Sequence, residues 1–399
     1  MTSVDDAHLR RALELAERGR GRVSPNPLVG AVIVKRGQVI GEGFHARLGD
    51  LHAERAALAD CAARGEDPAG ATMYVTLEPC AHEGRQPPCV DAILEAGIGR
   101  VVVASEDPSE KASGRGPGML RDGGVEVQLA AGAEAAAARR LNQPFRKHAR
   151  SGLPLVTLKL AMSLDGQTRT ASGEGPWISG PRSRALVHRW RAESDAIAAG
   201  IGTVLADDPL LTARPEGIDP RQPLRVVFDS HARVPLDSRL LATLDVSPLL
   251  VVVASDAPRA RTEALEQAGV ELLTVAAATA ADRVTEALRA LGDRGITSLF
   301  LEGGRSLATS FLTADQVDAS RTFIAPVLLG RPSASLAGGG PEGQHENGGE
   351  APARRGPPRG QDPPRRGAPT GDPPRRTALT SSFEQVGDDV LVTAIFKEW

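Results

Sequence analysis

The triplet His52-Ala53-Glu54 is followed along the chain by Pro79-Cys80 and then by Cys89. One imidazole and two thiolates are ligands that zinc favours, and a catalytic zinc keeps its fourth position open for water. Zinc lowers the pKa of a bound water, and a nearby carboxylate that is not a ligand can carry the proton to a leaving amine. The pattern predicts a zinc-dependent deaminase with His52, Cys80 and Cys89 as ligands and Glu54 as the catalytic residue.

The short spacing of His52 and Glu54 restricts where the metal can lie. Residues at i and i+2 do not share a helix face, so in the helix predicted over 52–64 the metal must lie at the N-terminus. Pro79-Cys80 and Pro88-Cys89 are also expected to open helical turns, where free N–H groups stabilise thiolates. The alternative is a structural zinc site with His82 as the fourth ligand, in which Glu54 would have no role beside the metal.

Composition and charge narrow the possible partners. The chain has 399 residues, a formal net charge of −3 and three cysteines. The small net charge excludes a whole-chain basic field that would attract nucleic acid or an anionic membrane. The longest apolar run, 249–254, is too short to span a bilayer, and charged residues near the N-terminus argue against a signal peptide. An odd, low cysteine count indicates a reducing compartment, so we expect a cytoplasmic protein.

Strand-like and helix-like segments alternate along the chain, which is typical of α/β proteins. The polar stretch 147–152 is interpreted as the boundary between a first domain, 1–146, and a second domain, 153–399, with a mostly parallel sheet. Residues 338–376 repeat Pro-Pro-Arg-Arg and contain almost no large apolar side chain. Such a segment cannot bury enough surface to offset its ordering entropy, so we expect a disordered insert.

The eight residues between Cys80 and Cys89, Ala-His-Glu-Gly-Arg-Gln-Pro-Pro, closely resemble the loop of the bifunctional riboflavin-biosynthesis deaminase/reductases, with Gln86 in place of the usual Thr. The segment Pro25-Asn26-Pro27-Leu28-Val29-Gly30 is also similar to that family. The resemblance implies a cytidine-deaminase-like three-layer first domain. It also implies deaminase substrate contacts from Asn26, His45, His82 and Arg85. One departure is Ser109, which stands where the family usually has Asn.

The second domain resembles the reductase half of the same family through L-K-L-A-M-S-L-D-G at 158–166 and W-I-S-G at 177–180. This implies a dihydrofolate-reductase-like fold that uses NADPH. The implied NADPH contacts are Ala161, Trp177, Thr203, Asp207, Ser230, Gly304, Arg305, Ser306, Leu307, Ala308, Thr309 and Ser310. The implied reductase substrate contacts are Lys159, Gly175, Arg191, Leu211, Arg214 and Glu302. Gly175 stands where the family usually has Ser.

The expected function is therefore a Zn²⁺- and NADPH-dependent bifunctional enzyme, which forms homo-oligomers and acts on a phosphoribosylated pyrimidine. It would deaminate the diaminopyrimidinone ring and then reduce the ribosyl group to ribityl. Three alternatives remain open: a deaminase whose reductase half is impaired, a nucleoside or tRNA deaminase with an accessory domain, and a nucleic-acid-binding role for the arginines of 354–376. A tRNA deaminase would need a basic surface that bears aromatic side chains, and the deaminase segment offers only Phe44, Tyr74 and Phe145.

Overall fold

The computed structural model describes residues 3–83, 86–109, 113–168, 177–217, 219–330 and 375–399. Three predictions lie outside these residues: the substrate roles of Arg85 and Gly175, and the disorder of all but the last two residues of the 338–376 insert. At the end of that insert, Arg376 donates a hydrogen bond to the Leu312 carbonyl (3.2 Å) and forms an ion pair with Asp315. Within the described ranges, no helix is long and apolar enough to cross a membrane.

The first part of the chain forms a five-stranded sheet. Its strands are Gly30–Lys35 (β1), Gln38–Phe44 (β2), Thr72–Val75 (β3), Arg100–Val103 (β4) and Glu126–Leu129 (β5). Its helices are Ser3–Glu17 (α1), Ala53–Ala63 (α2), Cys89–Glu95 (α3), Arg115–Asp122 (α4), Ala133–Leu141 (α5) and Gln143–Ser151 (α6). The strand order is β2-β1-β3-β4-β5, in which β1 is antiparallel to both neighbours and β3, β4 and β5 are parallel.

Helices cover both faces of this sheet. Along β1, Ala31 and Ile33 point into one core and Val32 and Val34 into the other, as the two-residue period of a strand requires. The first core is completed by α2, α3 and α4, and the second by α1 and α5. The predicted three-layer arrangement is therefore confirmed. Gly43 of β2 allows α2 to lie close, since a Cβ there would be 2.2 Å from the Ala57 nitrogen.

The second part of the chain forms a nine-stranded sheet. Its strands are Leu155–Ser163 (β6), Ala196–Gly200 (β7), Leu224–Phe228 (β8), Leu249–Ala254 (β9), Glu271–Val275 (β10), Ser298–Leu301 (β11), Ala319–Ala325 (β12), Thr380–Val386 (β13) and Asp389–Ile395 (β14). The order is β10-β9-β8-β7-β11-β6-β12-β14-β13. The strands from β10 to β12 are parallel and the last two pairings are antiparallel, so the predicted mostly parallel sheet is confirmed.

Helices lie on both faces of the larger sheet as well. They are Pro181–Glu193 (α7), Ile201–Asp207 (α8), Arg259–Gln267 (α9), Ala280–Asp293 (α10) and Arg305–Thr313 (α11), with a short 3₁₀ turn at Leu241–Thr243. Residues of α7, α8 and α9 fill the core on one face, and residues of α10 and α11 fill the core on the other. The carboxyl ends of the parallel strands consequently meet at one edge, where ligands of such sheets bind.

The polar stretch 147–152, interpreted from the sequence as the boundary between the two domains, forms the last part of helix α6 up to Ser151, with Gly152 as its C-cap in the left-handed conformation. The charged side chains of this stretch have partners elsewhere in the chain. The Lys147 ammonium lies 2.6 Å from the Asp318 carboxylate, and both side chains are 1% exposed. The ring of His148 lies 2.9 Å from the Gly292 carbonyl. Helix α6 therefore packs against the second part of the chain, which forms the nine-stranded sheet.

Candidate functional site

Three side chains on separate segments of the first unit converge on one point. The Nδ1 atom of His52 lies 3.6 Å from the Cys80 Sγ and 3.4 Å from the Cys89 Sγ. For bonds of about 2.3 Å to sulfur and about 2.0 Å to nitrogen, a tetrahedral zinc places S and N about 3.5 Å apart. The donor set and its spacing therefore fit zinc. His82 is exposed and lies outside this group, which disfavours the four-ligand structural alternative.

Two helix N-termini hold two of the three ligands. His52 is the N-cap residue of α2, and Cys89 is the first residue of α3, as the sequence spacing predicted. Cys80 differs from the prediction, because it lies in an irregular segment and opens no helical turn. Its thiolate still receives a helix N-terminal donor, since the Cys89 amide points at the Cys80 Sγ (3.3 Å). Hydrogen bonds from the Cys89 thiol and His52 lower the pKa of Cys80 to about 4.

Glu54 lies in the first turn of α2, directly beside the three donors, and its side chain is buried (3% exposed). Burial, followed by the charge of Cys80, raises the pKa of Glu54 to about 7. A carboxyl group titrating near neutrality can both accept and donate a proton at physiological pH. Glu54 therefore lies next to the three ligands without being one of them, which is the arrangement that the sequence predicted.

Asn26 and His45, both predicted to contact the deaminase substrate, lie together next to the three donors. The His45 Nδ1 is 3.0 Å from the Leu51 carbonyl, which only accepts hydrogen bonds, so Nδ1 carries the proton. The other ring nitrogen therefore accepts from the Asn26 amide at 3.2 Å. Burial lowers the pKa of His45, in keeping with a neutral ring. The rings of His45 and His52 meet edge-on, with centroids 5.4 Å apart.

Sequence reasoning missed a role for Glu78. Its buried carboxylate accepts hydrogen bonds from the backbone amides of Asp107 (3.3 Å), Gly114 (3.1 Å) and Gly116 (3.3 Å). A Cβ at Gly116 would lie 2.1 Å from the Pro79 carbonyl oxygen, so only glycine fits there. Helix α4 begins at Arg115, within this segment. In the sequence, the two closely spaced glycines Gly114 and Gly116 are the feature that could have indicated the close approach of this segment to Pro79.

A second group of charged residues lies at the carboxyl edge of the larger sheet. Arg191 of α7 holds Glu302 with two parallel hydrogen bonds, Nε–Oε1 at 2.6 Å and Nη2–Oε2 at 3.0 Å. Lys159 of β6 is the in-register neighbour of Glu302, because Leu158 pairs with Leu301. Burial would raise the pKa of Glu302, but Arg191 and Lys159 outweigh it and the net pKa is lowered. These three predicted substrate contacts therefore form one site.

The loop that carries Leu211 and Arg214 lies beside this group. Leu211 is buried and has a positive φ of 52°, a conformation that non-glycine residues adopt rarely and that concentrates at functional sites. Arg225, which sequence reasoning missed, donates from a fully buried position to the Leu210 carbonyl (3.2 Å). Arg191 donates to the Thr212 carbonyl (3.1 Å). Two arginines thus fix the shape of this loop.

The predicted NADPH contacts follow the carboxyl ends of neighbouring strands. Ser230 follows β8, Thr203 follows β7, Gly304 follows β11 and Ala161 lies in β6. A Cβ on Gly304 would lie 3.4 Å from the Thr203 hydroxyl, so the starts of α8 and α11 are adjacent. The remaining members of the 304–310 set belong to α11 or to its N-cap, and Asp207 ends α8.

Trp177 lies at the limit of the described residues. Its side chain is 66% exposed and stacks against the Arg184 guanidinium at 5.2 Å. An exposed indole is available to a ligand, since most of its apolar surface is still in water. The exposed Trp177 side chain is therefore accessible to a cofactor, and its role in binding NADPH stays a prediction.

The first site belongs to the class of zinc-binding deaminases, and the second unit is a separate α/β domain with a polar site at its strand ends. Residues 2–105 match the model of the cytidine and deoxycytidylate deaminase zinc-binding region. Residues 154–346 match the model of the RibD C-terminal domain.

Relatives cover nearly all of the chain. The riboflavin biosynthesis protein RibD of Actinobacillus pleuropneumoniae is 42% identical over 340 residues, which is 85% of this chain and 88% of the relative. The solved structure of Acinetobacter baumannii RibD superposes with a TM-score of 0.80 at 35% identity, covering 99% of each chain. A Thermotoga maritima diaminohydroxyphosphoribosylaminopyrimidine deaminase/5-amino-6-(5-phosphoribosylamino)uracil reductase superposes with a TM-score of 0.77 at 31% identity, again covering 99% of each chain.

The chain therefore belongs to the RibD family of bifunctional enzymes, which join a zinc-binding deaminase domain to a reductase domain. The predicted fold class, enzyme class and two-activity function are confirmed.

Proposed function

We propose that the chain deaminates 2,5-diamino-6-(5-phosphoribosylamino)pyrimidin-4(3H)-one and then reduces the ribosyl group of the product to ribityl. The observation that carries the first step is the convergence of His52, Cys80 and Cys89 beside the buried Glu54. The T. maritima relative with the same fold bears the names of both activities. The two separate sheets support a division into a deaminase domain, 1–146, and a reductase domain, 153–399.

In the deaminase site, His52, Cys80 and Cys89 would hold zinc, which supplies a Lewis acid that brings the pKa of a water molecule towards neutrality. Glu54 takes the proton of the attacking water and returns it to the amine at C2 of the ring, which leaves as ammonia. Asn26 and His45 hold each other in place, so that the Asn26 carbonyl oxygen and its second N–H remain for the substrate.

In the reductase site, NADPH supplies the hydride for C1′ of the ring-opened ribosyl group. Glycine backbone at Gly303 and Gly304 permits a phosphate to approach the N-terminus of α11 closely. Arg191 is already engaged by Glu302, so its fork holds that carboxylate in place. Arg214 is exposed and makes no ion pair among the described residues, which suits it to the substrate phosphate.

The enzyme is further proposed to work in the cytoplasm as a homo-oligomer. The three cysteines support the cytoplasmic location, because all are free thiols and two of them belong to the zinc group. A reducing compartment keeps such thiolates available to the metal.

The experiment that tests this function measures ammonia release from the diaminopyrimidinone by Glu54→Gln. We expect release to fall by about 10²- to 10⁴-fold, the contribution of a positioned acid–base group, while bound zinc is unchanged. Glu95→Gln, at the exposed end of α3, is the matched control and should release ammonia like the wild type. Persistent release by Glu54→Gln would contradict the role assigned to this carboxyl group.

A further inference from the structure

The side chain of Gln86 connects the two segments that carry zinc ligands. Its amide nitrogen donates to the carbonyls of Asp50 (2.7 Å) and Gly49 (3.3 Å). Its amide oxygen accepts from the backbone N–H of His52 at 3.3 Å. One side chain, three residues before Cys89, therefore makes three hydrogen bonds to the segment that ends at His52. Gln86 is also one of the positions at which the sequence departs from the family pattern, with Gln in place of the usual Thr.

The bond to the His52 amide replaces a missing helix cap. An N-cap residue is commonly fixed by its own side chain and by a Glu or Gln at N3, which accepts the N–H of the N-cap. His52 makes no side-chain cap, because its ring is turned towards the two thiols. The N3 residue is Arg55, which has no acceptor atom. Gln86 supplies the acceptor from a different segment of the chain.

A second link runs in the opposite direction. The Arg55 guanidinium, at the start of α2, donates to the Pro88 carbonyl at 2.9 Å. Pro88 is the N-cap residue of α3, whose first residue is Cys89. The N-termini of α2 and α3 are therefore tied together from both sides, by Gln86 acting on His52 and by Arg55 acting on Pro88.

We propose that Gln86, with Arg55, is a positioning residue that holds the His52 and Cys89 ligands in register for zinc. This proposal rests on the zinc role given above. The side chains touch the backbone next to the ligands and leave the metal itself to His52, Cys80 and Cys89. Groups that orient ligands in this way typically change metal affinity by 10- to 100-fold when they are removed.

The test compares Gln86→Leu with the wild type by two measurements on the full chain. The first is the zinc dissociation constant from competition with a chelator, which we expect to rise by about tenfold. The second is hydrogen exchange of the His52 amide in the metal-free protein, which we expect to become faster because its acceptor is gone. Gln86→Glu keeps an acceptor oxygen and should restore slow exchange at His52.

Gln38→Leu is the matched control, because Gln38 is exposed at the β1–β2 turn and makes no side-chain hydrogen bond within the described residues. It should leave both measurements unchanged. If Gln86→Leu does not fold, Arg55→Met tests the other half of the link and should also weaken zinc binding. Wild-type zinc affinity and unchanged His52 exchange in Gln86→Leu would overturn the proposal. A wild-type chain that binds no zinc would overturn the proposed function instead, while the exchange comparison would still decide the role of Gln86.

Discussion

Replacing Lys147 by methionine perturbs the junction between helix α6 and the second sheet. The Lys147 ammonium is 2.6 Å from the Asp318 carboxylate, and both side chains are 1% exposed. It also lies 5.3 Å above the Trp399 ring. The substitution keeps the length of the side chain and removes its charge, so Asp318 loses its cation without a large change in packing volume.

The expected loss of stability follows from the buried charge that remains. Removing one partner of a buried ion pair costs about 3–5 kcal/mol, since the other charge is left uncompensated. Asp318 still accepts from the Val156 amide (2.8 Å) and the Trp399 indole (3.1 Å), which places the expected value near the lower limit, at about 3 kcal/mol. Combining Lys147→Met with Asp318→Asn removes the buried charge and should restore about 2 kcal/mol of this loss.

Equilibrium urea denaturation, followed by tryptophan fluorescence, measures these differences. Lys35→Met is the matched control, because Lys35 pairs at 3.0 Å with an Asp67 that is 74% exposed. Surface pairs of this kind contribute about 0–1 kcal/mol. A loss for Lys147→Met as small as that of Lys35→Met would refute the reasoning that α6 is a buried junction. Additive effects of the Lys147 and Asp318 substitutions would refute the pairing itself.

Two further predictions concern the second site. Glu302→Gln should abolish NADPH oxidation, because Arg191 then lacks its carboxylate partner. Ammonia release should be unchanged, because the deaminase site lies in the other domain. Unchanged NADPH oxidation would contradict the assignment of Glu302 to the reductase site. His188 accepts from the Arg214 amide (3.3 Å), and burial, followed by Arg191 and Arg214, lowers its pKa to about 4. The unfolded chain, with a pKa of about 6.5, binds the proton first, so stability should fall as pH drops from about 6.5 to about 4. After discounting for partial exposure, the expected loss of stability is about 1–2 kcal/mol. Urea midpoints measured across this pH range should show this loss in the wild type and not in His188→Asn. The same pH dependence in both proteins would contradict the prediction.

The zinc group could be predicted from sequence because its chemistry is local. His52, Glu54 and Cys89 lie in short motifs, and the spacing of His52 and Glu54 alone placed the metal at a helix N-terminus. The local structure at Cys80 was harder to predict, since its thiolate is stabilised by the amide of a residue nine positions further along the chain. A proline before a cysteine does not distinguish a helix start from an irregular turn.

Long-range pairing explains what the sequence did not reveal. Lys147 resembles a linker residue until Asp318, 171 positions away, is placed beside it. Glu78 binds backbone amides of a segment about 30 residues later, and no pattern of residue types encodes such a contact. Strand β13 was missed because its sequence is largely polar and exposed, so it lacks the apolar alternation of a half-buried strand.

The central claim is that one chain deaminates the phosphoribosylated pyrimidine and then reduces the product. The most direct test supplies the diaminopyrimidinone and NADPH together and follows ammonia and NADPH in the same reaction. We predict that the wild type consumes NADPH in step with ammonia release. Glu54→Gln should do neither until the deaminated product is supplied, and it should then consume NADPH normally. Ammonia release without any NADPH consumption by the wild type, or NADPH consumption by Glu54→Gln with the undeaminated substrate, would contradict the account.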